Sequence, residues 1–148
     1  MKEVHRIMTE VCAGLTAMHN EGLIHTDLAI ENILLTKEGV AKIIDFGLSE
    51  RWEEGIPKVI RDPSVAAPEL FGGEGDPRSD IYSLGLLAFE LATGKNLLGY
   101  DLMDEDEDVS QLNVQKSYVA VCKQAAQFFP DERFSTVDDF LEALNKIE

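Results

Sequence analysis

The sequence predicts a mainly α-helical fold with one small β-hairpin, and three observations lead there. Apolar residues recur at three- and four-residue spacing over residues 3–20, over 112–129 and from Ser135 to the end, which is the signature of helices with one buried stripe. Residues 80–93 are apolar on nearly every side, a pattern suited to a helix enclosed by protein. Between these helices, Ile33-Leu34-Leu35 and Val40-Ala41-Lys42-Ile43-Ile44 flank Lys37-Glu38-Gly39, and a glycine-containing turn of this length between β-branched runs makes a hairpin.

In chain order, Val4, Ile7, Met8, Val11, Cys12, Leu15 and Met18 form the stripe of the first helix, which should end near Asn20-Glu21-Gly22. Leu23-Ile24 then lead into a loop, and the hairpin follows. From Gly47 to Glu69 the chain is polar with little periodicity. Gly72-Gly73-Glu74-Gly75 lacks the G-x-G-x-x-G spacing of a phosphate cradle and follows no strand, so it reads as a turn into the next helix. That helix carries Ile81, Tyr82, Leu84, Leu86, Leu87, Ala88, Phe89, Leu91 and Ala92, and Gly94 stops it.

The acidic run from Asp101 to Asp108 reads as a solvated loop, with docking of a basic substrate as the sharper alternative. Tyr118, Val119, Cys122, Ala125, Ala126 and Phe129 give the stripe of the 112–129 helix. Ser135, with Asp138 three residues on, should open the last helix, whose apolar face is Val137, Phe140, Leu141, Leu144 and Ile147.

At 148 residues the chain is one domain's worth. Its 28 acidic residues outnumber 13 basic ones, for a formal charge of −15, which disfavours nucleic-acid backbone and anionic membrane surfaces as partners. Cys12 and Cys122 sit singly inside apolar helical patterns, so they read as buried free thiols of a reducing compartment. No apolar run approaches membrane-spanning length, which makes a cytoplasmic location the expectation.

Chemistry concentrates in His25-Thr26-Asp27-Leu28-Ala29-Ile30-Glu31-Asn32 and in Asp45-Phe46-Gly47. Asn32 is expected to begin one hairpin strand and Asp45 to end the other, which places both side chains at the same end. Two such oxygen donors suit a hard cation such as magnesium, which takes one or two protein ligands and leaves the rest to phosphates and water. Asp27 would then be a base beside a metal site.

These two segments resemble the catalytic loop and the magnesium-binding loop of eukaryotic-type protein kinases. Ala67-Pro68-Glu69, Asp80-Ile81-Tyr82-Ser83-Leu84-Gly85 and a late Arg133 follow in the family's order. The resemblance implies the family's larger lobe as a single unit over 1–148, an α+β fold without the smaller β lobe. Its parts would be a catalytic loop at 25–32, a magnesium loop at 45–47, an activation segment at 45–69 and a helical subdomain at 76–148. Because Met1 falls at the start of the first long helix, the glycine-rich loop and the nucleotide-gripping lysine strand are expected to lie outside the chain.

Carried over position by position, the resemblance makes Asp27 the base and Asn32 and Asp45 the magnesium ligands. Leu34 and Ile44 become an adenine floor. His25, Phe46 and Gly47 brace the loops, Asp80 holds the catalytic-loop backbone from below, and Glu69 pairs with Arg133. Three departures matter. Thr26 stands where the family has an arginine that holds a phosphorylated activation loop, and Asp62 and Val65 replace its usual threonine and tyrosine.

The third departure is the largest. Ala29 and Glu31 occupy the positions from which a lysine or arginine meets the transferring phosphate. By analogy with removing one oxyanion donor, losing that cation is worth about 3–4 kcal/mol of barrier, unless Lys58 or Arg61 reaches in.

The expected function is therefore ATP- and magnesium-dependent phosphoryl transfer to protein serine or threonine hydroxyls. It should be negligible for this chain alone, with nucleotide binding weak or absent. A partner chain or a second copy would supply the missing lobe, over apolar residues left partly bare among Ile33, Leu35, Ile43 and Phe46. The alternative is a non-catalytic pseudokinase or scaffold lobe. A small-molecule phosphotransferase of the aminoglycoside or choline kinase type is disfavoured by Ala67-Pro68-Glu69 and the Asp80 helix.

Overall fold

The computed structural model describes residues 1–46, 49–52, 60, 62–100 and 109–147. Four helices dominate: α1 (Lys2–Asn20), α2 (Pro77–Thr93), α3 (Lys116–Ala125) and α4 (Val137–Asn145). Two minimal antiparallel pairs accompany them. β1 (Leu23–Ile24) pairs with β4 (Glu50–Arg51), and β2 (Ile33–Leu35) pairs with β3 (Ala41–Ile43).

Helix α1 buries Ile7, Met8, Val11, Cys12 and Leu15, the expected stripe, and the chain turns out of it at Glu21 and at Gly22 with φ 76°. The hairpin turn closes where Thr36 N–H donates to Val40 O at 2.9 Å and Gly39 adopts φ 83°. That left-handed angle is the reason for a glycine there. The hairpin is fastened to α1 by Glu10, whose carboxylate accepts from Ala41 N–H at 2.6 Å. Ile43 packs over Gly14, and Ile33 and Ile43 are half-buried against the core, partly bare but less so than Leu35 and Phe46. The exposed apolar residues of the hairpin and its exit are Leu34, Leu35, Val40, Ile44 and Phe46.

Helix α2 is the central element. Every residue from Ser79 to Phe89 is buried, as its all-round apolar pattern requires. Asp76 caps its start by accepting from Arg78 N–H, Pro77 occupies the first turn, and Gly94 ends it at φ 68°. Helix α3 lies close along α2 at Gly85. A Cβ at that glycine would sit 2.7 Å from the Cys122 carbonyl oxygen and 2.8 Å from the Ala125 Cβ. Gly85→Ala should therefore lower the unfolding midpoint in a thermal melt, since overpacking of about 1–3 kcal/mol outweighs the roughly 1 kcal/mol of helix propensity gained.

Two expected helices are corrected at their ends. The 112–129 helix is shorter, running only Lys116–Ala125, because the chain turns at Ala126 and extends at Phe129 into a 3-10 turn over Pro130–Glu132. Phe129, assigned to the buried stripe, is 60% exposed. The last helix is opened by Thr136 rather than Ser135: Thr136 and Asp139 form a reciprocal capping box. Ser135…Asp138 and Thr136…Asp139 share one spacing, so spacing alone could not choose between them. Helix α4 returns against α1, where Thr16 Oγ1 donates to Asp138 Oδ1 at 3.2 Å, and Phe140 and Leu144 join the common core.

Cys12 and Cys122 are buried and unbridged, and burial pushes the Cys12 thiol up to about 12. Among the described residues no helix is long and apolar enough to cross a membrane.

Candidate functional site

The loop after β1 is held by one buried carboxylate. Asp80, in the first turn of α2, accepts from His25 N–H at 2.8 Å and from Thr26 N–H at 2.9 Å, and its Oδ2 lies 2.8 Å from His19 Nε2. Thr26 sits at φ 67°, a left-handed conformation that β-branched residues rarely adopt and that is worth on the order of 1–3 kcal/mol of strain. The Asp80 contact is one bond that fixes it there.

His25 is fully buried. Its Nδ1 accepts from Asp27 N–H at 3.3 Å, which assigns the ring hydrogen to Nε2, and Nε2 donates to Ile44 O at 3.2 Å. Its ring also stands edge-on to Phe46, with centroids 5.7 Å apart. One histidine thus joins the loop at Asp27 to the chain leaving β3.

Asp27 is buried, and Asn32 turns toward it from the end of the 3-10 turn Ile30–Asn32. Asn32 Nδ2 donates to Asp27 O at 2.7 Å and lies 3.4 Å from Asp27 Oδ2. Asn32 O accepts from Ile44 N–H at 2.8 Å, one step beyond the Ile33–Ile43 register pair. Asn32 therefore precedes β2 rather than beginning it, and Asp45 lies two residues past β3 at φ 61°. Both stand at the same end of the hairpin.

With its nitrogen directed at Asp27, the Asn32 carboxamide has its oxygen to offer, and exposed Asp45 supplies carboxylate oxygens. An amide oxygen beside a carboxylate is a donor set that fits magnesium. Leu34 and Ile44 lie exposed on the hairpin, an apolar surface of the kind an adenine ring could cover.

Ala29 is buried and Glu31 exposed. Glu90, late in α2, has its carboxyl raised above the usual range by burial and then by the nearby charge of Glu31. Glu31 and Glu90 thus put two acidic groups near each other on this flank. Lys58, Arg61 and Gly47 lie outside the described residues, as does the acidic run Asp101–Asp108. Glu90 and His19 were not anticipated. Their signals were a lone acid following Phe89 in an apolar helix and a lone histidine in the last turn of α1.

A second polar junction lies below. Arg133 donates to Glu69 through both ends of its guanidinium, at 2.7 and 2.8 Å, and to the carbonyls of Gln127, Arg78 and Phe128. That accounts for all five of its N–H donors. Ser79 Oγ adds a bond to Glu69 at 2.7 Å, and the guanidinium stands over the Tyr82 ring at 5.1 Å.

Comparison with known proteins identifies the family. A family model described as protein kinase domain matches residues 1–147. The chain is 32% identical over 139 residues to serine/threonine-protein kinase 17A of Oryctolagus cuniculus, a match covering 86% of this chain and 34% of that protein. It is 38% identical over 95 residues to serine/threonine-protein kinase PknL of Mycobacterium tuberculosis, covering 60% and 23%. With a dual serine/threonine and tyrosine protein kinase of Pimephales promelas it shares 36% over 94 residues, covering 64% and 10%. The chain therefore spans between 10% and 34% of the length of these relatives. Its helical architecture and small antiparallel hairpin agree with the larger lobe of that domain, and the chain belongs to the protein kinase family.

Proposed function

We propose that the chain carries the base and the metal ligands of a protein kinase site, acting on a protein hydroxyl with ATP as phosphate donor. The observation that supports this best is the Asn32 carboxamide turned onto Asp27 at the hairpin end that also bears Asp45. Asp27 orients the hydroxyl and takes its proton as the new oxygen–phosphorus bond forms and the bond to the departing ADP breaks. Asn32 and Asp45 would hold magnesium, which neutralises charge on the phosphates. His25 keeps the loop and Asp45 in register through Ile44.

Chemistry is slow in this reading, because Ala29 puts a methyl group where a cation would meet the transferring phosphate. The acidic flank of Glu31 and Glu90 favours substrates with basic residues near the hydroxyl. The exposed Leu34, Leu35, Val40, Ile44 and Phe46 favour a partner chain or a second copy covering the hairpin and closing the nucleotide site. The buried free thiols suit a reducing cytoplasmic setting. A non-catalytic scaffold lobe is the second reading, favoured by Ala29 specifically.

Calorimetry of magnesium and ATP with the purified chain tests this, beside Asp45→Ala. The expected result is weak, magnesium-dependent binding that falls roughly 10-fold or more in the variant, since losing a ligand should cost at least what losing a ligand's supporting partner does. No heat at millimolar nucleotide, or equal binding by the variant, overturns the catalytic reading and leaves the scaffold.

A further inference from the structure

Phe128 and Phe129 are the two most exposed large apolar side chains in the described structure, at 63% and 60%. Their rings meet edge to face with centroids 5.1 Å apart. This is not a frayed loop. The Phe128 carbonyl accepts from Arg133 Nη2 at 3.0 Å, the Gln127 carbonyl accepts from Arg133 Nε at 2.8 Å, and the Phe129 carbonyl accepts from Glu132 N–H at 3.0 Å. Arg133 itself is buried and anchored on Glu69. Phe71, also exposed, lies two residues beyond Glu69. Three bare phenyl rings therefore ride on segments pinned to one guanidinium.

Rigid aromatic side chains on a fixed backbone lose little entropy on binding, and for that reason they dominate contact energies at interfaces. The exposed charge that follows them in the chain is acidic. Asp131 and Glu132 follow the pair after Pro130 and are exposed; Asp131 is ion-paired with Arg78, whose guanidinium is shared with Asp76, and Glu132 adds a second exposed carboxylate. With a formal chain charge of −15, approach of a cationic segment is steered and that of an acidic one opposed. Guanidinium groups also stack on phenyl faces.

We infer that Phe128 and Phe129, with Asp131 and Glu132, form a docking surface for a protein segment that alternates arginine with large apolar side chains. This surface does not depend on phosphoryl transfer, so it stands whether or not the nucleotide site is competent.

The test is fluorescence anisotropy of the full chain with three labelled peptides of equal length: arginine–leucine alternating, glutamate–leucine alternating, and arginine–serine alternating. Expected is saturable binding of the arginine–leucine peptide, at least 10-fold tighter than the other two. It should weaken at least 10-fold in Phe128→Ser/Phe129→Ser, with an unchanged thermal midpoint. Glu132→Lys is an independent arm that leaves the rings in place, and it should weaken the arginine–leucine peptide and flatten its salt dependence.

Equal binding of the arginine–leucine and arginine–serine peptides would assign the attraction to overall charge and overturn the proposal, as would undiminished binding by both variants. Failure to bind any peptide also overturns it. So would a dimer, seen by sedimentation, that the double variant dissolves, because the surface would then belong to a second copy.

Discussion

Arg133→Ala is expected to cost about 3–5 kcal/mol of folding stability, the range for breaking a buried ion pair by removing one partner. Its side chain is fully buried, and its removal leaves the Glu69 carboxylate with the Ser79 hydroxyl in place of three donors and takes one donor from each of three carbonyl oxygens. Arg133→Lys should recover little, since a single ammonium cannot reproduce a two-pronged contact with Glu69 while reaching the carbonyls of Gln127 and Phe128.

The pair also predicts a pH dependence. Burial pushes the Glu69 carboxyl up, but the Arg133 guanidinium and the Ser79 hydroxyl pull it below its ordinary value of 4.5. A carboxyl lowered in the folded state contributes stability that is full above the unfolded value and is lost as pH falls through the folded one. Urea midpoints measured from pH 7 to below 4 should therefore fall more steeply for the natural chain than for Arg133→Ala. Parallel curves would mean that Glu69 gains nothing from its partner.

Asp80→Ala is expected to destabilise by roughly 3 kcal/mol or more, because it removes the acceptor of one buried and one half-buried backbone N–H group and of the His19 ring nitrogen, at roughly 1–3 kcal/mol each. The near-isosteric Asp80→Asn separates shape from chemistry. Its oxygen can accept one backbone donor, but its nitrogen then confronts the other donors. Chemical denaturation should place it between the natural chain and Asp80→Ala. If Asp80→Asn were neutral, a carboxylate would not be what holds the His25-Thr26 backbone, and the Thr26 conformation at φ 67° would need another cause.

The elements governed by local periodicity were legible in the sequence. The α1 stripe, the burial of α2, the Gly39 turn and the Gly94 stop all follow from rules spanning a few residues. The ends of α3 and α4 did not, because Ser135 and Thr136 offered two caps of equal spacing and only packing chose between them. Pairing of Leu23–Ile24 with Glu50–Arg51 was also invisible, since two-residue strands have no period to detect. Among candidate site residues, Asp27 and Asn32 are close in sequence and their proximity could be anticipated. The Glu69–Arg133 contact spans 64 positions, and only the motif resemblance named both partners. Glu90 and His19 were missed because one polar residue on a helix carries no information about what faces it.

The packing of α4 onto α1 sets the order of folding. The Thr16–Asp138 bond closes a separation of 122 residues, and contacts this distant form late, after the intervening chain has condensed. During synthesis at about 5–20 residues per second, α1 waits roughly 6–25 s between its own emergence and that of its partner. Through that interval Val11, Leu15 and their neighbours lack part of their final cover, so a nascent chain of this sequence is a natural client for chaperones, and slowing translation would lengthen its exposure.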